Sequence, residues 1–260
     1  MSNSSKFFSA EAYEDYMGRW SRLLAARFID FVGLRDGERL LDVGCGTGSL
    51  ALAVAALTSR SEIVGIDPSA PFIEYARLRG KDPRLTFKVG DALSISYPDA
   101  SFDKCLSLLV IMFIQDVAPA IAEMRRVTRH GGIVAACVWD RSGMEMNSVF
   151  WKTAVELDPA AERRRDAQAY SGGQLSSLWA ESGFTGIEET ALVIPLEFKS
   201  FDDFWTPLLG GQGPSASYLL GLPSDRQLAL RERLREKVLG AGPERPFKLK
   251  AKAWAVHGVR

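Results

Sequence analysis

Cysteine and histidine are scarce in this sequence of 260 residues, which contains three cysteines and two histidines. Cys45, Cys105 and Cys137 fall on predicted strands or the turn after one, and none has a CxxC spacing or a histidine nearby. Structural metal sites need such spacings, so we predict reduced thiols and no metal site. His130 precedes a predicted strand and His257 lies near the C-terminus, and we expect neither to act as a catalytic base.

Net charge and long apolar segments are absent as well. Lysine plus arginine and aspartate plus glutamate both total 32, so the formal net charge is zero. This balance argues against nucleic acid or an anionic membrane as a partner and suits a small or neutral substrate. The longest apolar run, residues 105–114, has about half of the roughly 20 residues that cross a bilayer. Because no basic stretch followed by an apolar run opens the sequence, we expect a soluble, cytoplasmic protein.

Glycine, by contrast, is concentrated at one point. The segment Leu41–Gly48 reads LDVGCGTG, an apolar strand that ends in Asp42 and continues into Gly44, Gly46 and Gly48. Only glycine combines a positive φ with the absence of a Cβ, so this pattern indicates a turn whose backbone approaches a ligand. A dinucleotide fingerprint would read GxGxxG, but here the third glycine comes one residue early. We expect the loop to bind a nucleotide-like molecule.

Carboxylates follow at the ends of later predicted strands. Glu62–Pro68 reads EIVGIDP and places Asp67 about 20 residues after the loop, where a nucleotide-binding α/β unit needs an acid for ribose hydroxyls. Leu85–Leu93 reads LTFKVGDAL and alternates before Asp91, and Ser101–Leu109 reads SFDKCLSLL. Ligands of parallel sheets bind outside the carboxyl ends of the strands, so one ligand can contact residues from all of these segments. The residues expected at that edge are Gly44, Asp67, Asp91 and Leu108.

The string DVGCGTG resembles motif I of class I S-adenosylmethionine (SAM) methyltransferases, and the segments after it resemble that family's next strands. SFDKCLSLL is similar to the strand whose end passes beneath the methionine part of SAM. The resemblance covers roughly Tyr13–Trp139 and is to the broad small-molecule group that includes ubiquinone and menaquinone biosynthesis enzymes. It implies SAM as cofactor and S-adenosylhomocysteine as product. The donor-binding positions that it implies in this region are Asp42, Gly44, Cys45, Gly46, Gly48, Asp67, Pro68, Ser69, Asp91, Ala92, Leu93 and Leu108.

Two of these implied roles concern the ends of the donor. In the resembled family, an acid at the position of Asp91 accepts a hydrogen bond from the adenine amino group, and the next residues, here Ala92 and Leu93, flank the ring. A segment before motif I often folds over SAM, and its aromatics and an arginine contact the methionine end. These positions correspond to Tyr16, Arg19 and Trp20, with two parallel hydrogen bonds from Arg19 to the SAM carboxylate. Packing of these residues into the core is the alternative, and both interpretations stay open.

The remaining pattern predicts the fold. Apolar residues at spacings of three and four predict a helix over Ala10–Val32, and alternating strands and helices over Arg39–Asp140 predict parallel βαβ units. The resemblance implies a Rossmann-like, doubly wound α/β fold with a mostly parallel seven-stranded sheet in the order 3-2-1-4-5-7-6, the last strand antiparallel. We expect one methyltransferase domain over 1–260, divided into an N-terminal helical lid (1–36), a SAM-binding core (37–140) and a C-terminal part (141–260) with a substrate-side helical insertion (about 201–240).

The reaction that this resemblance implies is methyl transfer to a small-molecule acceptor. The sulfonium of SAM already makes its methyl group electrophilic, so the protein mainly has to align it with the acceptor, and a base is useful only for a protonated, weak acceptor such as oxygen or carbon. We identify no catalytic residue. Aromatic residues of the insertion either line an apolar acceptor site or pack the insertion onto the sheet. They include Phe201, Phe204, Trp205 and Tyr218.

Two other functions remain open at this point. An oxidoreductase that binds NAD is disfavoured by the early third glycine and by Asp91, which such enzymes do not need. A SAM-binding or scaffolding protein without catalytic activity is compatible with every residue named above. The sequence identifies neither the acceptor atom nor the oligomeric state.

Overall fold

The computed structural model describes residues 9–164, 170–211 and 213–260. The strands in this part of the chain are β1 (Arg39–Val43), β2 (Glu62–Asp67), β3 (Leu85–Val89), β4 (Phe102–Leu108), β5 (Thr128–Met144), β6 (Thr185–Phe198) and β7 (Phe247–Val259). The α-helices are α1 (Ala10–Tyr13), α2 (Arg19–Val32), α3 (Ser49–Leu57), α4 (Ala70–Arg79), α5 (Ala118–Val127), α6 (Glu145–Leu157), α7 (Gln174–Glu181), α8 (Phe201–Trp205), α9 (Gly213–Leu220) and α10 (Ser224–Leu239). A π-helical segment, Glu14–Gly18, lies between α1 and α2, and the 3-10 segments are Ile111–Phe113, Pro159–Arg164 and Thr206–Gly210.

The seven strands form one sheet in the order β3-β2-β1-β4-β5-β7-β6, which confirms the order that the resemblance implied. Strands β1 to β5 pair in parallel, β1 with β2 and β4, β2 with β3, and β4 with β5. Strand β7 is reversed, because the Arg260 N–H donates to the Gly132 carbonyl and the Gly131 N–H donates to the Arg260 carbonyl. The end of β7 therefore lies beside the start of β5, as expected for an antiparallel last strand.

One irregularity separates the observed fifth strand from the expected one. We expected this strand to begin after His130, but β5 begins earlier, at Thr128. Phe102 of β4 pairs with Thr128, whereas Lys104 pairs with Ile133, so residues 129–132 lie opposite a single residue of β4. The extra residues form a β-bulge, which a glycine with a φ of 73° at position 131 can accommodate without strain.

The chain divides into two compact units. The sheet unit comprises Trp20–Arg141, Gln168–Ile194 and Lys252–Arg260, and the helical unit comprises Met1–Arg19, Ser142–Ala167 and Pro195–Ala251. Each unit is assembled from segments that are far apart in the sequence.

The core of the sheet unit explains which strands are most apolar. Every residue of β1 after Arg39 is buried, and so is every residue of β4 except Asp103, as expected for central strands covered on both faces. In the edge strand β3 only Phe87 is buried. Helix α2 buries one face, as its spacing predicted. The buried apolar residues of that face are Trp20, Leu24, Ala25, Phe28, Ile29 and Val32.

The helical unit has an aromatic core of its own. The rings of Phe198 and Phe247 stack with centroids 5.0 Å apart, and Phe204 packs on both Phe198 and Phe201 at 5.4 and 5.7 Å. Phe201 and Phe204 are each 1% exposed and Trp205 is 6% exposed. The interpretation of these three side chains as walls of an acceptor site is therefore wrong, because burial against one another already consumes their apolar surface.

The N-terminal segment belongs to the helical unit up to Arg19. Its helical pattern was predicted from Ala10 onward, but the turn Glu14–Gly18 is π-helical. This turn packs against the Thr206–Gly210 segment of the insertion. Within the described residues, no helix is both long and apolar enough to cross a membrane.

Candidate functional site

The glycine loop joins β1 to α3 through three residues in the left-handed region. The φ angles of Gly44, Gly46 and Gly48 are 73°, 52° and 88°. The N–H groups of Gly44 and Cys45 both donate to the carbonyl of Ile66, at 2.8 and 2.9 Å, and so fix the start of the loop on β2. Gly48 has no side chain with which to cap α3, and the N–H of Ala51 in the first turn donates instead to the Asp42 carboxylate.

Two of these glycines have different steric surroundings. A Cβ built on Gly44 would come within 2.4 Å of both methyl groups of Val110. A Cβ on Gly46 would meet only the ring of Phe72, at 4.0 Å. Gly44 is therefore required by the protein's own packing, whereas the space beside Gly46 is left unfilled by the protein and can admit a ligand.

Asp67, at the end of β2, connects the loop to the next helix. Its carboxylate accepts from the N–H of Gly46 at 3.0 Å and from the N–H of Ser69 at 2.8 Å, where Ser69 is the N-cap of α4 and Pro68 lies between. The residue is 8% exposed, and burial raises the pKa of its carboxyl group, although both backbone N–H groups oppose that shift. The predicted ribose contact thus lies beside the glycine loop.

Asp42 lies beneath the loop and is 3% exposed. Its carboxylate accepts from the Ala51 N–H in the first turn of α3, at 3.2 Å. Burial raises the pKa of this carboxyl group to about 7, and the charge of Asp67 adds to the shift. Asp42 therefore holds the helix that follows the loop, which is a supporting role rather than a position open to a ligand.

The cysteine of the loop is not a reactive thiolate. Cys45 is 7% exposed, and burial together with the charges of Asp42 and Asp67 raises its pKa well above the usual range. Burial raises the thiol pKa of Cys105 and Cys137 in the same way. A protonated thiol is a poor nucleophile, so these side chains act as small apolar groups.

The segment after β3 forms an exposed turn at the same edge. The Gly90 N–H donates to the Asp67 carbonyl at 3.1 Å, and the Asp91 carboxylate accepts from the Leu93 N–H at 2.9 Å. Asp91 is exposed and Ala92 is partly buried. Leu93 is 48% exposed. The turn leaves an acid and an apolar side chain accessible, the combination expected for contact with a purine.

Strand β4 ends in a backbone kink that sequence reasoning did not find. Leu108 is 8% exposed, and the next residue, Leu109, has a φ of 62°. Its N–H still donates to the Cys137 carbonyl at 2.7 Å, so the chain turns sharply only after the β4–β5 ladder ends. The kink positions Val110 over Gly44. A leucine in the left-handed region is strained, and such strain is concentrated at functional sites; no local sequence signal marks it.

The three predicted contacts near the N-terminus are all engaged within the protein. Tyr16 is buried, which raises its pKa, and its hydroxyl donates to the Asn147 side-chain carbonyl at 3.3 Å. Arg19 Nη1 lies 2.9 and 3.0 Å from the two carboxylate oxygens of Asp203, and its guanidinium lies 5.0 Å from the centroid of Phe198. Trp20 is 2% exposed. Arg19 thus contacts a carboxylate, but it is that of an aspartate of the insertion, and one guanidinium nitrogen contacts both oxygens instead of forming the two parallel hydrogen bonds that were expected.

The structure also places the remaining titratable candidates. Asp140 lies inside β5, is 7% exposed, and accepts from Trp254 Nε1 at 2.6 Å and Lys252 Nζ at 3.0 Å. The ring of His257 lies 4.8 Å from that of Phe31, and burial lowers the histidine pKa. Across the described ranges, no group of three or more His, Cys, Asp or Glu side chains is arranged to hold a metal ion.

Comparisons with known proteins agree with this geometry. Residues 41–136 match the family model described as a methyltransferase domain. The ubiquinone/menaquinone biosynthesis C-methyltransferase of Citrifermentans bemidjiense is 36% identical over 119 residues, which are 44% of this chain and 49% of that protein. The malonyl-[acyl-carrier protein] O-methyltransferase of Serratia marcescens is 31% identical over 131 residues, which are 50% of each protein.

A solved structure extends the likeness to nearly the whole chain. Haemonchus contortus phosphoethanolamine N-methyltransferase 2, in complex with phosphomonomethylethanolamine and S-adenosylhomocysteine, has a TM-score of 0.59 at 19% identity and covers 96% of this chain and 56% of that one. At this identity the likeness supports the fold alone. The chain spans about a third to a half of the length of the curated relatives it matches.

The matched residues 41–136 include the glycine loop, Asp67, the turn after β3 and the kink after β4. Residues 41–136 therefore match a methyltransferase domain, and this part of the chain is similar to the ubiquinone/menaquinone biosynthesis C-methyltransferase named above. SAM is the cofactor that this match indicates, and matches to about a third to a half of each relative imply no particular member.

Proposed function

We propose that this protein transfers the methyl group of SAM to a small-molecule acceptor. The observation that carries the proposal is the open space beside Gly46 together with the Asp67 carboxylate that accepts from its N–H. A nucleoside with free ribose hydroxyls requires this arrangement, in which a glycine backbone lies on one side of the ligand and a carboxylate lies on the other.

The donor residues are assigned within this proposal. Asp67 accepts from the ribose, Asp91 accepts from the adenine amino group, and Ala92 and Leu93 flank the ring. The loop backbone faces the methionine part above Leu108. Supporting positions, which shape the loop and the start of α4, are Asp42, Gly44, Cys45, Gly48, Pro68 and Ser69.

Tyr16, Arg19 and Trp20 stay predictions as donor contacts. The Arg19 guanidinium already pairs with the carboxylate of Asp203, which a methionine carboxylate would have to replace. The N-terminal segment and the insertion lie in one compact unit, which supports the expectation that they act together as a substrate-side lid.

The chemistry expected of the protein is mainly alignment. When bound, SAM supplies an electrophilic methyl group on a sulfonium. The protein's part is to fix the donor by rigid backbone and buried carboxylates, which converts an encounter into an oriented reaction, an effect worth about 7 to 11 kcal/mol in well-oriented cases. The relatives named above are C-, O- and N-methyltransferases by their names, so the acceptor atom is left open.

Binding measurements test the donor assignment. Calorimetry with SAM and with NAD should give saturable binding of SAM alone. Replacing Asp67→Asn should weaken SAM binding by about 1 to 3 kcal/mol through the loss of charged hydrogen bonds to the ribose. The matched control is Asp36→Asn, because Asp36 also accepts from two backbone N–H groups but lies before β1, at the opposite end of that strand. Saturable NAD binding without SAM binding would refute the proposal.

Catalysis needs a separate test. Incubating the protein and a cell extract with SAM that carries a deuterated methyl group should label a metabolite, which mass spectrometry then identifies. The Gly46→Val variant is the control and should label nothing. Tight SAM binding without any labelled product would instead favour a SAM-binding protein that does not catalyse. Cell fractionation would test the cytoplasmic location, which we also propose.

A further inference from the structure

The helical unit contains a cavity of about 370 Å³ that includes none of the residues assigned to the donor. Its walls come from the end of α6, the turn after it, α9, and the start of α10. The volume falls within the range of about 300 to 1,000 Å³ that small-molecule sites occupy. The apolar lining residues are Ala154, Leu157, Pro159, Leu222, Pro223 and Leu230.

Packing and hydrogen bonds hold these walls in place. The ring of Tyr218, which also lines the cavity, packs on Trp151 at 5.4 Å and meets Phe150 edge-on at 6.3 Å. The Gln227 side-chain amide donates to the Leu222 carbonyl at 2.8 Å, which fixes the turn before α10. Leu230 is 1% exposed. The cavity is therefore a preformed space rather than a gap between loosely placed side chains.

Two residues of opposite charge line the same cavity, and within the described residues neither has an ion-pair partner. Asp158 follows α6, and its carboxylate accepts from the Ala160 N–H at 2.9 Å to shape the turn. Arg226 lies in the first turn of α10 and is exposed. In the described part of the chain, no carboxylate forms an ion pair with Arg226.

The other arginines of α10 show that this is unusual for the helix. Arg231 pairs with Asp202 at 2.8 Å, Arg233 pairs with Glu236 at 2.5 Å, and Arg235 lies 3.7 Å from Glu244. Arg226 also lies at the N-terminus of α10, where the helix dipole adds positive potential. The unused positive charge is thus located at the mouth of the apolar cavity.

We propose that this cavity binds an amphiphilic monoanion, a molecule with an apolar chain or ring and one carboxylate. The apolar part occupies the space between α6, α9 and α10, and the carboxylate pairs with the Arg226 guanidinium, which can donate two parallel hydrogen bonds to it. This site goes beyond the proposed methyl transfer and does not depend on it.

Three ligands with the same ten-carbon chain test the proposal, each titrated by calorimetry below its aggregation concentration. The protein should bind decanoate with one-to-one stoichiometry, bind decanol more weakly and bind decylamine most weakly. Arg226→Gln should weaken decanoate binding about tenfold and leave decanol binding unchanged, because only the charged pair is lost. Leu222→Trp should abolish the binding of both by filling the cavity.

The matched control is Arg233→Gln, two turns along the same helix and outside the cavity, which should bind decanoate as the unaltered protein does. Thermal unfolding of each variant checks that it is folded. No binding of decanoate, equal affinity in the Arg226→Gln variant, or tighter binding of decylamine would each overturn the proposal. SAM titrations of the same samples report on methyl transfer separately, so failure of one proposal is distinguishable from failure of the other.

Discussion

Gly44 and Gly46 lack a side chain for different reasons. A Cβ at Gly44 would clash with Val110, whereas the space beside Gly46 is open to a ligand. Replacing Gly46→Val should lower the free energy of unfolding by about 1 to 3 kcal/mol through left-handed strain, and should abolish SAM binding because the branched side chain fills the open space. Urea unfolding and calorimetry measure the two effects. A folded Gly46→Val variant that binds SAM normally would show that the loop does not contact the donor.

The comparison variant is Gly44→Ala, whose Cβ would clash with Val110. It should lower the free energy of unfolding by about 2 to 5 kcal/mol, since overpacking adds to the strain. The double variant Gly44→Ala with Val110→Ala should recover part of that loss, because it removes the clash but not the strain.

Asp42 makes stability depend on pH in an unusual direction. Its pKa in the folded protein is raised to about 7 from 3.8, so between these values the folded state holds a proton that the unfolded state has lost. Its contribution to stability is complete below pH 3.8 and is lost as the pH rises through 7, with a slope of at most about 1.4 kcal/mol per pH unit. Asp42→Asn should remove this slope, as measured by urea unfolding from pH 4 to 8.

The control for this experiment is Asp36→Asn. Backbone N–H groups lower the pKa of Asp36 to about 2, so its titration lies below the tested range. The variant should therefore keep the slope of the unaltered protein between pH 4 and 8. A slope that survives Asp42→Asn would assign the effect to another group, Asp67 first, because its pKa is also raised.

At the scale of elements, a buried ion pair joins β1 to β4. Lys104 Nζ lies 2.7 Å from the Glu38 carboxylate, and their side chains are 5% and 13% exposed. Lys104→Met or Glu38→Gln alone should lower the free energy of unfolding by about 3 to 5 kcal/mol, because each leaves one buried charge without its partner. Urea unfolding of both variants measures this loss.

Replacing both partners, Lys104→Met with Glu38→Leu, should cost much less than the sum of the single changes, since no buried charge then remains. Additive losses would show that the two side chains act independently. In that case each side chain would contribute to the free energy of unfolding through its own packing and not through the ion pair.

The elements themselves were predictable to different degrees. Apolar runs, alternation and glycine placement found every strand from β1 to β5 and the glycine loop, because these patterns follow from burial on one or both faces of a strand and from backbone stereochemistry. The π-helical turn Glu14–Gly18 and the left-handed Leu109 were not predictable. The residues at those positions, Glu14–Gly18 and a leucine, carry no local signal for a π-helical turn or a left-handed backbone, and tertiary packing imposes them.

At the scale of the whole molecule, β7 completes the sheet because it lies between β5 and β6. A chain that ends at residue 246 should lose cooperative unfolding, since it exposes the inner edges of two strands and removes buried residues such as Val256. Circular dichroism during urea unfolding tests this. A sharp, cooperative transition in the shortened chain would mean that the sheet is stable without its last strand.

The division into units was beyond the reach of the sequence. One domain with a lid at 1–36 stays a prediction, and the boundary between the two compact units within the N-terminal helical region falls between Arg19 and Trp20. Likewise, the sequence predicted that Arg19 binds a carboxylate but did not identify Asp203 as the residue that supplies it, because Asp203 is 184 positions away. Such pairings depend on long-range contacts, which local patterns do not contain.

The three protonated, buried cysteines allow local opening of the folded protein to be measured through the rate at which each thiol is labelled. A thiol-specific reagent reacts with an exposed thiolate, so each cysteine is labelled only during moments when its surroundings open. The labelling rate of Cys45 would report opening of the glycine loop. The labelling rates of Cys105 and Cys137 would report opening of the middle of the sheet. Ordinary oxidants and alkylating agents would consequently affect this protein slowly while it stays folded.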